Sequence, residues 1–255
     1  MAAQRARQEA ICQYVLDAGA RTVEEIVQAT GVSAMTVYRD LAALERVDLL
    51  HLHRGVVTAA ASSLHEASSR YRRGQQTAAK AALARAALEL VEPGSSLFLD
   101  DSTTGLALAA LLPEKAPLTV ITNYQPVCRE LEQEPQIDLW VTGGQYVVWA
   151  DALMGPMALQ SIRGLNANAC FMSSSAVTAG QCFHPAREAA EVKRAMLERS
   201  QARYLYVDHT KFARTALHAF ADLADFDAVI VDGGAGPAVV AELRRTVPRV
   251  IQAKA

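Results

Sequence analysis

Several short polar runs in this chain have the types and spacing to bind a charged, hydroxyl-rich ligand. The first is Asp100-Asp101-Ser102-Thr103-Thr104, directly after the apolar run SSLFL. Hydroxyls and backbone N–H groups at a helix start form a cradle for an anion such as a phosphate, and a nearby carboxylate accepts from ligand hydroxyls. A carboxylate beside a dianion is unfavourable, so Asp100 or Asp101 faces the polyol end and Ser102, Thr103 and Thr104 face the anion. The same residues also read as a plain strand end and helix cap. Thr122-Asn123 follows LTVI, Gly143-Gly144 follows LWVT, and Asp208-His209-Thr210-Lys211 follows RYLYV. Asn123 offers an amide, the glycines allow close backbone approach, and Lys211 is either a point-charge donor or a solvated surface cation. Glu188 opens a helix, where it reads hydroxyls or stabilises the helix N-terminus.

A second group lies in GVSAMTVYRDLAALE, from Gly31 to Glu45. Ser33 and Thr36 sit near a helix start and can donate to phosphates or base edges. Arg39 either forks onto a guanine edge or clamps a phosphate, and only the former specifies sequence. Tyr38 suits a phosphate or a thymine methyl, or packs against a neighbouring hairpin. The contact set expected of a groove-facing helix is Ser33, Ala34, Thr36, Val37, Tyr38 and Arg39, with Val37 also on the apolar stripe of Leu41 and Leu44. Arg54, at a hairpin tip, enters a minor groove, touches backbone or is simply solvated.

These residues need elements to hold them. Ile11, Tyr14, Val15 and Ala18 repeat as one face of a helix from Arg5 to about Ala18, stopped by Gly19. Thr22 with Glu25 forms a capping box for a short second helix, Gly31 breaks it, and Ser33 caps a third. LLHLHRGVVTAA reads as two short strands turning at Arg54-Gly55, the wing of a winged helix-turn-helix over residues 1–58. Residues 59–75 are small, polar and basic and are expected to be a linker into a helix from about Thr77 to Val91. From there to 255, SSLFLD, LTVIT, IDLWVT, ANACFMS, RYLYVD, DAVIVD and RVIQA alternate with alanine-rich helical stretches. Strands alternating with helices imply an α/β fold with a doubly wound, mostly parallel sheet, whose ligands sit beyond the strands' carboxyl ends.

Composition narrows the partners. The chain has 255 residues, 51% of them hydrophobic and 20% charged, enough for two domains and a packed core. Residues 1–80 hold ten Lys/Arg against eight Asp/Glu, leaving fifteen against nineteen for the remainder, so nucleic-acid binding must come from the placement of a few cations and from dimerisation. No apolar run approaches the roughly 18 residues that span a bilayer, and the polar start MAAQRARQEA lacks a leader's apolar core, so a cytoplasmic protein without membrane contact is expected. Cys12, Cys128, Cys170 and Cys182 show no CxxC pairing and are expected to be reduced thiols. Cys182-Phe183-His184 and His51-Leu52-His53 lack a second ligand pair, and neither metal nor cofactor is expected.

VSAMTVYRDLAALE, the stretch from Lys80, LDDSTTGLALA, ITNYQPV, VTGGQY, the VKRAM helix, VDHTKF and VIVD occur together and in order. In this the chain resembles the DeoR family of bacterial transcriptional regulators. The resemblance implies an N-terminal winged helix-turn-helix joined to a sugar-phosphate-sensing domain related to ribose-5-phosphate isomerase, and it draws Lys211 toward the effector site. The chain departs from the family pattern with Tyr38-Arg39 for two arginines, Ser102 for a glycine and Gly55-Val56 for two glycines. The implied protein is a repressor of a carbohydrate-catabolism operon, a homodimer or homotetramer that binds operator DNA and a phosphorylated sugar effector. The rival is a sugar-phosphate isomerase or aminosugar-phosphate deaminase using Asp100, Asp101, Asp208 and Lys211, which leaves the N-terminal 58 residues without a role. Lys80 is expected to be structural or to lie on a dimer face.

Overall fold

The computed structural model describes residues 4, 7, 8, 10–12, 14, 15, 20–46, 49–59 and 66–254. The expected stop at Gly19 and the first part of the expected linker lie outside them. Residues 4, 7, 8, 10–12, 14 and 15 are helical (α1). They are followed by β1 (Ala20–Thr22), α2 (Val23–Thr30), α3 (Ala34–Glu45), β2 (Leu50–His53) and β3 (Val56–Ala59). Thr22 and Glu25 form the reciprocal capping box, Gly31 ends α2 in the left-handed conformation (φ 66°), and the Ser33 hydroxyl caps α3 by accepting from Thr36 N–H. The wing has one strand more than the sequence suggests, because β1 pairs antiparallel with β3, which pairs with β2. Three residues are too few to show a period. Ile11, Val15, Ile26, Val37, Leu41, Leu44, Leu50 and Val57 are buried together as the core of this module.

The remainder opens with α4 (Ser69–Arg73) and α5 (Thr77–Leu88). It continues β4 (Ser96–Leu99), α6 (Thr103–Ala109), β5 (Leu118–Thr122), α7 (Gln125–Leu131), β6 (Ile137–Val141), β7 (Gln145–Val147), β8 (Ala152–Met154), α8 (Pro156–Arg163) and β9 (Ala167–Met172). It closes with β10 (Ala176–Thr178), β11 (Gln181–His184), α9 (Arg187–Glu198), β12 (Ser200–Val207), β13 (His218–Asp222), β14 (Ala228–Val231), α10 (Pro237–Thr246) and β15 (Val250–Gln252). All seven apolar runs become strands of one parallel sheet in the order β15-β14-β12-β9-β4-β5-β6. The pleat sends Leu97 and Leu99 into a core shared with α5, α6 and α7, and Phe98 into the opposite core shared with α8, α9 and α10. A sheet covered on both faces needs continuous apolar strands, which is why these runs stand out in the sequence.

The strand order decides where a ligand can sit. After β4 the chain moves outward through β5 and β6, then returns to the other side of β4 with β9 and moves outward again through β12, β14 and β15. The ends of β4 and β9 therefore flank a topological switch point, where the two outgoing loops diverge and leave a crevice.

Candidate functional sites: a groove-facing helix and a cationic cavity

Of the contact residues expected on and just before α3, Ser33, Ala34, Tyr38 and Arg39 are exposed and Thr36 is half-buried. Val37 corrects the expected contact set: it is wholly buried in the module core, because the helical period that places Leu41 and Leu44 inward takes Val37 with them. Met35, 78% exposed in the first turn, takes a place on the outer face that the sequence reading did not assign to it. The Ser33 and Thr36 hydroxyls lie 3.0 Å apart and are bonded to each other. The back of α3 is fixed by buried Asp40, which accepts from Arg7 Nε at 2.6 Å and from Gln8 at 3.0 Å. Burial works to raise the Asp40 carboxyl, and the Arg7, Gln8 and Gln4 donors overcome it and hold it below the usual carboxylate range. Arg54 is exposed at the tip of the β2–β3 hairpin with φ 50°, followed by Gly55 at φ 79°. Positive φ at both central residues is the type I′ geometry that matches strand twist.

The second site is a cavity at the switch point. It is lined by Thr103 and Thr104 after β4, Ser173, Ser174 and Ser175 after β9, and Asp208, Thr210, Lys211 and Arg214 after β12. Its remaining wall comes from the segment preceding α5: Glu66, Ala67, Tyr71, Arg72, Gln75 and Gln76, with Lys80 from α5 itself. Thr103, Thr104, Asp208 and Lys211 are thus brought together as their positions at strand ends imply. Arg72, Arg214 and the three serines join them without having been singled out, and Lys80, expected to be structural or on a dimer face, lines the cavity as well. Within the segment expected to be a linker, the described residues from Glu66 onward pack against the sensor sheet's loops. Glu66, Ala67, Ser68 and Ser69 are buried, and Ser69 N–H donates to the Trp149 carbonyl at 2.7 Å.

Charge is unbalanced in this cavity. Arg72, Lys80, Lys211 and Arg214 face two carboxylates, Glu66 and Asp208. Burial, with Lys211 and Arg72 nearby, pushes Lys80 down to about 8. Lys211 is lowered by burial and by Arg214, against the pull of Asp208 3.8 Å away. Burial alone would raise Glu66, yet the Coulombic fields of Arg72, His184 and Lys211 and a hydrogen bond from Ser175 hold it at about 2. His184 adds no charge to Glu66 near neutrality, because burial holds it at about 4. Its Nδ1 lies 3.0 Å from Ala186 N and 3.2 Å from the Ala186 carbonyl oxygen, and its Nε2 lies 3.9 Å from Glu66. A pocket whose lysines are depressed by burial and by neighbouring cations is relieved by an incoming anion, and the Thr103, Thr104 and serine hydroxyls can complete its hydrogen bonds.

Several expected ligand residues lie elsewhere. Asp100 is wholly buried beneath the cavity, accepting from Ser173 N–H at 2.9 Å and paired with the buried Lys193, so it does not present an acceptor to a ligand. Asp101 is likewise buried, 3.5 Å from Lys193. The Ser102 hydroxyl is used as the cap of α6, accepting from Gly105 N–H at 2.9 Å. Thr122 Oγ1 accepts from Tyr124 N–H, and Asn123 donates to the Leu153 carbonyl, because β8 covers the end of β5. Gly144 has φ 130°, and a Cβ there would meet the Met154 carbonyl oxygen at 2.4 Å. It and Gly143 serve the packing of β8 and α8, on the far side of β5 from the crevice. Glu188 is exposed on the first turn of α9 and does not line the cavity. Among the described residues no cluster of three His, Cys, Asp or Glu is arranged to hold a metal ion, and no helix is long and apolar enough to cross a membrane.

Comparison with known proteins matches both parts of the chain to family models. A family model described as the DeoR-like helix-turn-helix domain matches residues 7–63, and one described as the DeoR C terminal sensor domain matches residues 75–233. The chain is 32% identical to the uncharacterized HTH-type transcriptional regulator YgbI of Escherichia coli (strain K12), over 89% of each chain. It is 32% identical to the lactose phosphotransferase system repressor of Staphylococcus aureus (strain N315), over 89% of this chain and 91% of that protein. Among solved structures, ribose 5-phosphate isomerase A from Methanocaldococcus jannaschii aligns with 52% of this chain and 53% of its own at 13% identity and a TM-score of 0.38. With both halves matched in order and relatives covering most of its length, the chain belongs to the DeoR family of transcriptional regulators.

Proposed function

We propose that this protein is a repressor of a carbohydrate-catabolism operon, whose operator binding is modulated by a phosphorylated sugar held in the cavity at the switch point. The observation that carries the reading is the excess of cations there, Arg72, Lys80, Lys211 and Arg214 against Glu66 and Asp208, with hydroxyls around them. A phosphate dianion balances that excess, and Asp208 or Glu66 accepts from the sugar hydroxyls in place of Asp100. The repressor sense follows the name of the Staphylococcus relative. Ser33, Ala34, Met35, Thr36, Tyr38 and Arg39 meet the major groove, and Arg54 meets the backbone or minor groove. The near-neutral charge of the first 80 residues makes a homodimer or homotetramer the binding unit, acting in the cytoplasm. The DNA-binding module runs through the wing to about residue 58, and the sensor unit takes in the segment from Glu66.

The protein is not an enzyme on this reading. An isomerase or deaminase needs a carboxylate base with a pKa near the working pH, and the cavity's carboxylates are held low, Glu66 at about 2. The test is a gel shift on DNA upstream of the protein's own coding region, with and without ribose 5-phosphate, fructose 6-phosphate and glucose 6-phosphate. Turnover of any of these at enzyme-like rates, with no operator binding, would overturn the proposal.

A further inference from the structure

We propose that α4 transmits occupancy of the cavity to the DNA-binding module, and that Tyr71 is the positioning residue through which it does so; this rests on the reading of the cavity as an anion site. Tyr71 belongs to two environments. It lines the cavity, and it packs against the winged-helix core built from Ile11, Val15, Ile26, Val37 and Leu41. Val37 and Leu41 are on the inner face of α3, so Tyr71 reaches the body that carries the groove-facing helix.

The hydrogen bonds of α4 make it responsive to an anion. Arg72 Nε donates to the Ala67 carbonyl at 2.9 Å and lies 3.9 Å from Glu66 Oε1. The Lys80 ammonium donates to the Arg72 carbonyl. Among the described residues Arg72 Nη2 is buried without a hydrogen-bond partner, so an anion can engage it directly, and drawing the guanidinium and the Lys80 ammonium toward that anion strains the bonds they make to the Ala67 and Arg72 carbonyls. That strain is relieved by displacing α4, and Tyr71 adjoins Arg72 in the chain. At the other end the segment is anchored to the sensor, by Ser69 to Trp149 and Tyr124 and by Glu66 to Ser175. Displacement at Arg72 is therefore steered toward the contact with the winged helix and away from a general loosening. A ligand changes operator affinity only through interactions that differ between the two arrangements, and the altered hold of Arg72 and Lys80 on α4 supplies such a difference.

The experiment uses the full-length protein, with inorganic phosphate, ribose 5-phosphate, fructose 6-phosphate and glucose 6-phosphate as probes. Hydrogen exchange is followed in residues 20–59 and 66–80, and operator Kd by fluorescence anisotropy. In the wild type, a probe that slows exchange in 66–80 also changes it in 20–59 and shifts operator Kd. In Tyr71→Ala, with the probe raised until protection of 66–80 saturates so that any loss of cavity affinity is compensated, the ratio of operator Kd with and without it falls to within about twofold of unity. Tyr71→Phe, which keeps the ring, retains the wild-type ratio. An undiminished ratio in Tyr71→Ala overturns the proposal. So does a wild-type protein whose exchange changes in 66–80 and never in 20–59, a result that needs no variant to fold. If no probe protects 66–80 in the wild type, the reading of the cavity as an anion site is what fails, and the proposal falls with it.

Discussion

Lys193→Met tests whether the floor of the cavity is held by charge. Lys193 is 3% exposed and pairs with Asp100, while Asp101 lies 3.5 Å away, the two carboxylate side chains being 0% and 1% exposed. Asp100 Oδ1 and both Asp101 oxygens have no hydrogen-bond partner, so the ammonium carries most of the compensation for two adjacent buried charges. Methionine keeps the aliphatic stem and removes the charge. Breaking a buried ion pair from one side costs about 3 to 5 kcal/mol. For a unit of this size that corresponds to a fall in Tm of roughly 6 to 20 °C. Asp101 is held below the usual range, burial opposing and Lys193 favouring its ionisation. It therefore adds stability above the ordinary Asp range that is lost as pH falls through its folded value. The variant loses that contribution, so its deficit is largest near neutrality and shrinks in acid as Asp101 protonates. Urea denaturation of both proteins across the acid range reads this directly, and Lys193→Met with Asp101→Asn should recover part of the deficit. A deficit under about 1 kcal/mol at neutrality, or one independent of pH, would refute the charge argument and leave only packing.

Removing the exposed cation by Arg39→Ala should abolish detectable operator binding while leaving probe-induced thermal stabilisation intact; a gel shift and a thermal melt on the same preparation check both. Lys211→Ala should weaken binding of a phosphate probe by about ten- to a hundredfold, the loss of one charge-assisted contact, and isothermal titration measures it. Because Lys80 sits at about 8, phosphate affinity should fall as pH rises through that value, and Lys80→Met should flatten the profile. His184 is depressed from 6.5 to about 4, so the unfolded chain binds the proton first and stability is lost as pH falls between those values, by about 3 kcal/mol in all. Denaturation of His184→Gln should lack that slope.

The sheet could be read from sequence because each strand is buried on both faces and so is apolar throughout. The crevice could not, because it depends on strand order. Nothing in LTVIT or IDLWVT says that β5 and β6 lie outside the switch point, so Thr122, Asn123, Gly143 and Gly144 carried the same polar signal as Thr103, Asp208 and Lys211. Lys80, expected to be structural or on a dimer face, and Lys193, which was not singled out, did leave a trace. Lys80 heads the buried stripe of Leu83, Ala84, Ala87 and Leu88, and Lys193 stands among Ala189, Ala190, Val192 and Met196. A lysine on an apolar helical face signals a buried charge with a partner. Arg72 gave no such trace, since α4 has five residues and no period to break.

Arg54 is a non-glycine residue in the left-handed region, where an L side chain is disfavoured by roughly 1 to 2 kcal/mol and glycine or asparagine is not. Under the proposed role, the hairpin tip holds its cation at the expense of its own backbone. Laboratory selection for heat resistance should therefore replace Arg54 early, and the survivors should be sturdier proteins that release their operator at lower salt.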